Sequence, residues 1–192
     1  MTRPILFSTD MVRAILDGRK TQTRRIVVLR LGETIWESSC RKYVAEDTLW
    51  VRETWFYEMH MQDREQEAPD LPSGCYSHRY VYKADSPEYP VDIGVGATGW
   101  RPSIYMPREA ARLFLRVTDV RAERLQDITE ADALAEGMRY DGKGSSRLWT
   151  ARDAYIDLWD KLNAKRGFGW DSNPYVWVIE FEKIEKEAPD DE

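Results

Sequence analysis

Apolar positions along this chain change period several times, and each change marks an element. Residues 4–8 form a short apolar run, and Ser8 or Thr9 is placed to cap a helix that carries Met11, Val12, Ile15 and Leu16 on one face. Gly18 follows the last periodic residue, as a left-handed C-cap would, so residues 19–28 emerge extended and rich in β-branched side chains. Strand alternation then sends Lys20, Gln22 and Arg24 one way and Thr21, Thr23 and Arg25 the other. Residues 47–57 read as a strand and residues 111–121 as a half-buried one. Between them, residues 58–98 are polar and punctuated by proline and glycine, and read as a long insertion. Thr129 and Asp132 cap a short helix that runs through Leu134 and stops at Gly137. A glycine-bearing loop at residues 141–146 precedes a longer helix over 151–165, with Ala154, Tyr155, Leu158, Trp159 and Leu162 on its inner face. The closing strand covers residues 175–184. This order is not a regular parallel βαβ series; it predicts an α+β fold, a small mixed sheet or barrel with helices at its rim.

Composition narrows the class. At 192 residues, 42% hydrophobic, 32% charged and with a mean hydropathy of −0.63, the chain has the length of one domain with insertions. No run approaches a membrane span and no secretory signal is visible, so a cytoplasmic protein is expected. Cys40 and Cys75 form no disulfide framework. The net charge of −6 argues against a protein that grips a long polyanion. That total hides an asymmetry. Seven cations among residues 1–30, from Arg3 to Arg30, face only Asp10 and Asp17, a net of +5, whereas residues 185–192 hold one lysine against five carboxylates and read as an acidic disordered tail.

The densest chemistry lies at Gly18–Arg25, where four cations and two hydroxyls follow a helix end within a few residues. Its spacing is not that of a phosphate loop, because the glycine precedes a strand rather than a helix. On residue types alone it is either an anion-facing or nucleotide-facing patch, or a solvated edge strand defended by charge.

These residues carry a resemblance. Gly18, Lys20, Thr23 and Arg25 are similar to the signature of the ASCH domains, members of the PUA-like superfamily of small RNA- and modified-base-binding barrels. The similarity continues through residues 47–55, 125–137 and 175–181. Residues 100–107 look like ASCH proteins encoded by bacteriophages and prophages. The resemblance implies one domain over residues 1–184, a PUA-like mixed β-barrel with flanking helices and a loop insertion at about 58–98. Many ASCH proteins carry glutamate where this chain has Thr23. The string from Lys20 to Arg25 instead resembles the N(4)-acetylcytidine amidohydrolases of the family, which implies Lys20, Thr23 and Glu136 as a catalytic set and Arg25 as electrostatic support.

A threonine hydroxyl needs a base, and a lysine depressed by burial or by neighbouring cations can serve. Glu136 sits at the C-terminal end of its helix, where the dipole disfavours a carboxylate; a cationic partner or a proton-donor role would explain it, and so would plain exposure. A binding module would equally keep Lys20 and Arg25, with Trp100 and Arg101 contributing stacking and a charge-assisted hydrogen bond. The expected partner is a nucleoside or single-stranded RNA carrying a modified or flipped-out base, with no cofactor, metal or membrane. The alternative is a non-catalytic phage-encoded adaptor whose residues 58–98 bind a protein. Cys40, His60, Cys75 and His78 make only a poor zinc set, because one pair stands twenty residues apart.

Overall fold

In a computed structural model the described residues are 1–28, 42–61, 76–88, 99–139 and 150–185. They form strands β1 (Thr2–Leu6), β2 (Gln22–Ile26), β3 (Thr48–Arg52), β4 (Trp55–Met61), β5 (Tyr76–Tyr82), β6 (Phe114–Arg124) and β7 (Tyr175–Ile184). Three helices join them: α1 (Thr9–Leu16), α2 (Glu130–Ala135) and α3 (Ala151–Asn163). The architecture is mixed, a five-stranded sheet in the order β1-β3-β6-β7-β2 and a two-stranded β4-β5 sheet. None of the described helices is long and apolar enough to cross a membrane. The chain divides into two compact units. The first holds Met1–Pro4, Ala14–Trp50 and Arg112–Glu192, and the second Ile5–Arg13 and Val51–Ala111.

In the first unit, β7 lies between β6 and the edge strand β2. It pairs antiparallel with β6, from Arg124↔Tyr175 to Phe114↔Ile184 with an irregularity between Val117 and Asp119, and on its other side with β2, from Gln22↔Glu180 to Ile26↔Val176. Four consecutive side chains of β7, Val176, Trp177, Val178 and Ile179, are buried, so both faces of this strand are covered. Against Val176 and Val178 pack Leu125, Ile128, Ala133, Ala151, Tyr155 and Trp159, so α2 and α3 share one apolar core.

Both helices open with a reciprocal capping box, Thr129 with Asp132 and Thr150 with Asp153. The buried stripe of α3 is Ala151, Tyr155, Trp159 and Asn163, a strict four-residue spacing. It differs from the expected inner face in the last turn: Leu162 is 53% exposed, and Asn163 takes the inner position by donating its amide to the Trp159 carbonyl at 3.2 Å. The helix ends at Asn163 and a 3₁₀ turn closes it at Gly167, whose φ of +83° suits glycine.

In the second unit, β4 and β5 pair antiparallel from Trp55↔Tyr82 to Met61↔Tyr76. The segment expected as an insertion therefore contains paired strand. The strand expected over 47–57 is also two strands. Its break falls at Glu53, 1% exposed, whose backbone N–H donates to the Met106 sulfur at 3.2 Å. Cys40, Cys75, the loop at 142–146 and the acidic stretch 186–192 lie outside the described residues, as do the side chains of His60 and His78.

Candidate functional site

The site is built where β2 begins and α2 ends. Helix α1 finishes with the Gly18 N–H donating to the Ile15 carbonyl at 3.0 Å, and Gly18 has φ +71°. The next two N–H groups, of Arg19 and Lys20, both donate to the Ala14 carbonyl, at 2.9 and 3.0 Å, which turns the chain sharply into the extended segment. Helix α2 ends with Glu136 at φ −70° and ψ −4°, and Gly137 follows at φ +90°. The two ends are then stitched together. Thr21 N–H donates to the Ala135 carbonyl at 2.8 Å, Lys20 and Glu136 form an antiparallel bridge, and the Arg19 guanidinium donates to the Gly137 carbonyl at 2.8 Å.

This backbone arrangement brings together side chains that stand more than a hundred residues apart in sequence. The Lys20 ammonium, with no exposed side-chain surface, donates to the Gln22 carbonyl at 2.8 Å, to the Glu136 carbonyl at 3.0 Å and to Glu136 Oε2 at 2.7 Å. Those bonds match the three donors of an ammonium, and one of them satisfies a carbonyl at a helix C-terminus. Arg24, equally buried, donates to Glu136 Oε1 at 3.3 Å, and its Nη2 lies 3.4 Å from Glu123 and 3.5 Å from Asp132. The Gln22 amide donates to the carbonyl and carboxylate of Asp132 at 3.0 and 3.2 Å. Lys20, Gln22 and Arg24 thus use one face of the extended segment, as their alternation requires, and that face is buried against α2 rather than open to solvent.

Burial pushes the Lys20 ammonium below its ordinary value; Glu136 opposes that shift, while Arg25 and Arg24 reinforce it. Arg25 is half-buried, with Tyr43, Glu136 and Tyr155 within electrostatic range. The Tyr155 phenol is raised well above the ordinary range by burial and by the Glu136 charge. Thr23 is buried on β2 opposite Ile179. Trp100 and Arg101 belong to the second unit. There Trp100 is half-buried, and Arg101 bridges the backbone of Trp55 and lays its guanidinium 5.2 Å from the Trp55 ring centroid.

Arg24, Asp132, Gln22 and Tyr155 complete the cluster, and the family resemblance does not imply them. Alternation did place Gln22 and Arg24 beside Lys20, and that was the available signal. Asp132 and Tyr155 read as a helix cap and a core residue, roles they also fill.

Asp132 links this cluster to pH. Burial alone would raise its carboxyl, but the Thr129 N–H and hydroxyl, Gln22 and Arg24 together hold it below 3.8. The unfolded chain therefore binds the proton first as pH falls, so this contribution is present above that range and is lost as pH drops through the folded value. Urea unfolding followed from about pH 5 to pH 2 should show a loss of stability in wild type that is smaller in Asp132→Asn. An identical pH slope in the two proteins would show that Asp132 is not responsible.

No family model matches the sequence, and no curated protein matches it. Among solved structures, the chain is similar to protein EF3133 from Enterococcus faecalis V583 (family model DUF984), with a TM-score of 0.47 and 10% identity over 100% of this chain and 87% of that one. It is also similar to an ASCH domain from Lactobacillus crispatus JV V101, with a TM-score of 0.42 and 12% identity over 96% of this chain and 80% of that one.

Proposed function

We propose that the β2–α2 junction recognises a nucleoside or a single-stranded RNA base carrying an N-acyl group on cytosine, and removes that group. The supporting observation is the buried Lys20–Glu136 pair at 2.7 Å. An ion pair withdrawn from water is a weak source of stability, because desolvation offsets most of the attraction. A paired base and acid in a dry site is, however, a common arrangement for proton transfer.

The pair can hold its single mobile proton in two ways. As ammonium and carboxylate it is the salt bridge described above. With the proton moved onto Glu136 it becomes a neutral amine beside a carboxylic acid, a general base beside a general acid, with no change in net charge. Lys20 is already pushed toward the neutral form by burial and by the two arginines.

In this reading the β2–α2 junction opens to admit the base, the Thr23 hydroxyl attacks the acyl carbonyl, and its proton passes to the Lys20 amine, whose flexible stem swings round from the α2-facing side of the segment on which alternation places it. The tetrahedral oxyanion is held by the positive field of Arg25. The C–N bond then breaks, the cytosine amine leaves with the Glu136 proton, and water hydrolyses the acyl-threonine ester. The same reading makes residues 1–184 one ASCH-type, PUA-like barrel domain with 58–98 as its insertion.

Incubation with N(4)-acetylcytidine, followed by the loss of acyl absorbance, tests the proposal. Wild type should turn over. Thr23→Ala removes only a hydroxyl and methyl from a strand position, so it should remain folded and lose kcat by well over about 100-fold, since a lost nucleophile can cost on the order of a millionfold. No turnover by wild type, or full turnover by Thr23→Ala, would refute the assignment.

A further inference from the structure

One buried polar group of the first unit has no part in the chemistry proposed above. Tyr155 lies in the buried stripe of α3, 4% exposed, with its ring centroid 6.1 Å from that of Trp159 and its side chain in the core that holds Ala133, Val176 and Val178. In the β2–β7 register Val178 stands opposite Arg24 and Val176 opposite Ile26, and residues directly paired across a ladder share one face of the sheet. The face that α3 covers is therefore the face from which Arg24 reaches Glu136. The Tyr155 phenol accordingly lies within electrostatic range of Glu136, Arg24 and Arg25.

Sheltered tyrosines elsewhere in the chain donate their hydroxyls: Tyr43 to the Pro4 carbonyl at 3.0 Å, Tyr80 to Glu109 at 2.7 Å and Tyr82 to the Ala110 carbonyl at 2.7 Å. Tyr155 is more buried than any of these, yet among the described residues its hydroxyl has no hydrogen-bond partner. Tyrosine hydroxyls in such places normally find one, so the exception points to a partner that is not part of the chain. The chemistry of that partner follows from the surroundings. Burial and the Glu136 charge keep the phenol protonated, which makes it a donor for an acceptor atom. The cations of the cluster, Lys20, Arg24 and Arg25, are matched by Glu136, Asp132 and Glu123, so no surplus charge selects an anion. A neutral carbonyl oxygen fits both conditions. In the ligand proposed above, the acyl carbonyl faces Arg25, which leaves the carbonyl of the pyrimidine ring.

We propose that the Tyr155 hydroxyl donates a hydrogen bond to the ring carbonyl of a bound cytosine and so holds the base beside Glu136. This contact depends on the pyrimidine ligand proposed above and does not require its hydrolysis.

Isothermal titration of the full chain with cytidine, which has the ring carbonyl and no acyl group, tests it, together with urea unfolding of the same proteins without nucleoside. Tyr155→Phe should bind cytidine about tenfold more weakly than wild type. It should also unfold at the wild-type urea midpoint or above it, because the hydroxyl it removes bonds nothing in the free protein. A hydroxyl with a structural role would give the opposite pattern, a lower midpoint and an unchanged affinity. Titration with N(4)-acetylcytidine in a Thr23→Ala background, where the proposed chemistry is blocked, should show the same tenfold loss on adding Tyr155→Phe. Equal cytidine affinity in wild type and Tyr155→Phe, a lowered midpoint in Tyr155→Phe, or a loss confined to N(4)-acetylcytidine overturns the proposal. The contact and the hydrolysis fail separately. Equal affinities with deacylation intact in wild type reject the Tyr155 contact alone, whereas a tenfold loss in Tyr155→Phe with no deacylation by wild type keeps the contact and rejects the hydrolysis. A wild-type protein that binds neither nucleoside rejects both.

Discussion

Glu136→Ala is expected to lower the unfolding free energy by about 3–5 kcal/mol, the cost of stranding a buried charge. The wild-type carboxylate divides its oxygens between two buried cations, Oε2 to Lys20 and Oε1 to Arg24. Arg24 retains Glu123 and Asp132 when Glu136 is removed, so Lys20 bears most of the loss. The deficit should carry a pH signature. In the variant the folded lysine sits further below 10.5 than it already does in wild type, so the unfolded state binds the extra proton and stability rises with pH through that window. Urea unfolding should show the largest deficit near neutrality and a smaller one by about pH 10. A deficit under 1 kcal/mol at neutral pH would mean that the pair is not desolvated as described.

Gly137→Ala is expected to destabilise by about 3 kcal/mol and to disturb the site as well as the fold. Gly137 has φ +90°, and a Cβ there would lie 2.8 Å from Ala14 Cβ and 3.1 Å from Lys20 Cβ. Two penalties therefore combine, left-handed strain in a non-glycine residue and an overpacked contact between backbone-anchored atoms that cannot rotate aside. Gly18 is the internal control. Its φ is +71° but its Cβ direction is open, so Gly18→Ala carries only the strain, about 1 kcal/mol. Equal losses at the two positions would show that the close approach at Gly137 is not limiting.

Much of this junction is legible in the sequence because the signals are local. Gly18 and Gly137 mark helix ends, Thr129 with Asp132 spells a capping box, and the alternation of residues 20–25 sorts Lys20, Gln22 and Arg24 onto one face. What local signals do not supply is burial. Four cations in seven residues read equally well as a solvated edge, and the docking of the α2 end against β2 encloses two of them, Lys20 and Arg24.

Nothing in the spacing joins Lys20 to Glu136, 116 positions away; only the family resemblance implies that the two act together. At the break of the expected 47–57 strand, Glu53 meets the sulfur of Met106, 53 residues on, a contact that no periodicity reveals. Leu162 and Asn163 exchange their expected roles because α3 buries a strict four-residue stripe, and a buried asparagine that bonds its own helix is invisible to a hydrophobic pattern. The polar stretch near residue 80 hid β5 for a similar reason: its tyrosines satisfy their hydroxyls, Tyr80 on Glu109 and Tyr82 on the Ala110 carbonyl.

The central claim is that the Lys20–Glu136 pair is kept for chemistry and not as a clamp. The direct measurement is N(4)-acetylcytidine turnover by the double variant Lys20→Met, Glu136→Leu, with urea unfolding run on the same preparation. Replacing both charges with apolar side chains of similar size removes the desolvation penalty together with the attraction, so the variant should unfold within about 2 kcal/mol of wild type. Predicted is a folded protein with no detectable deacylation; a folded double variant that hydrolyses N(4)-acetylcytidine at the wild-type rate would contradict the account.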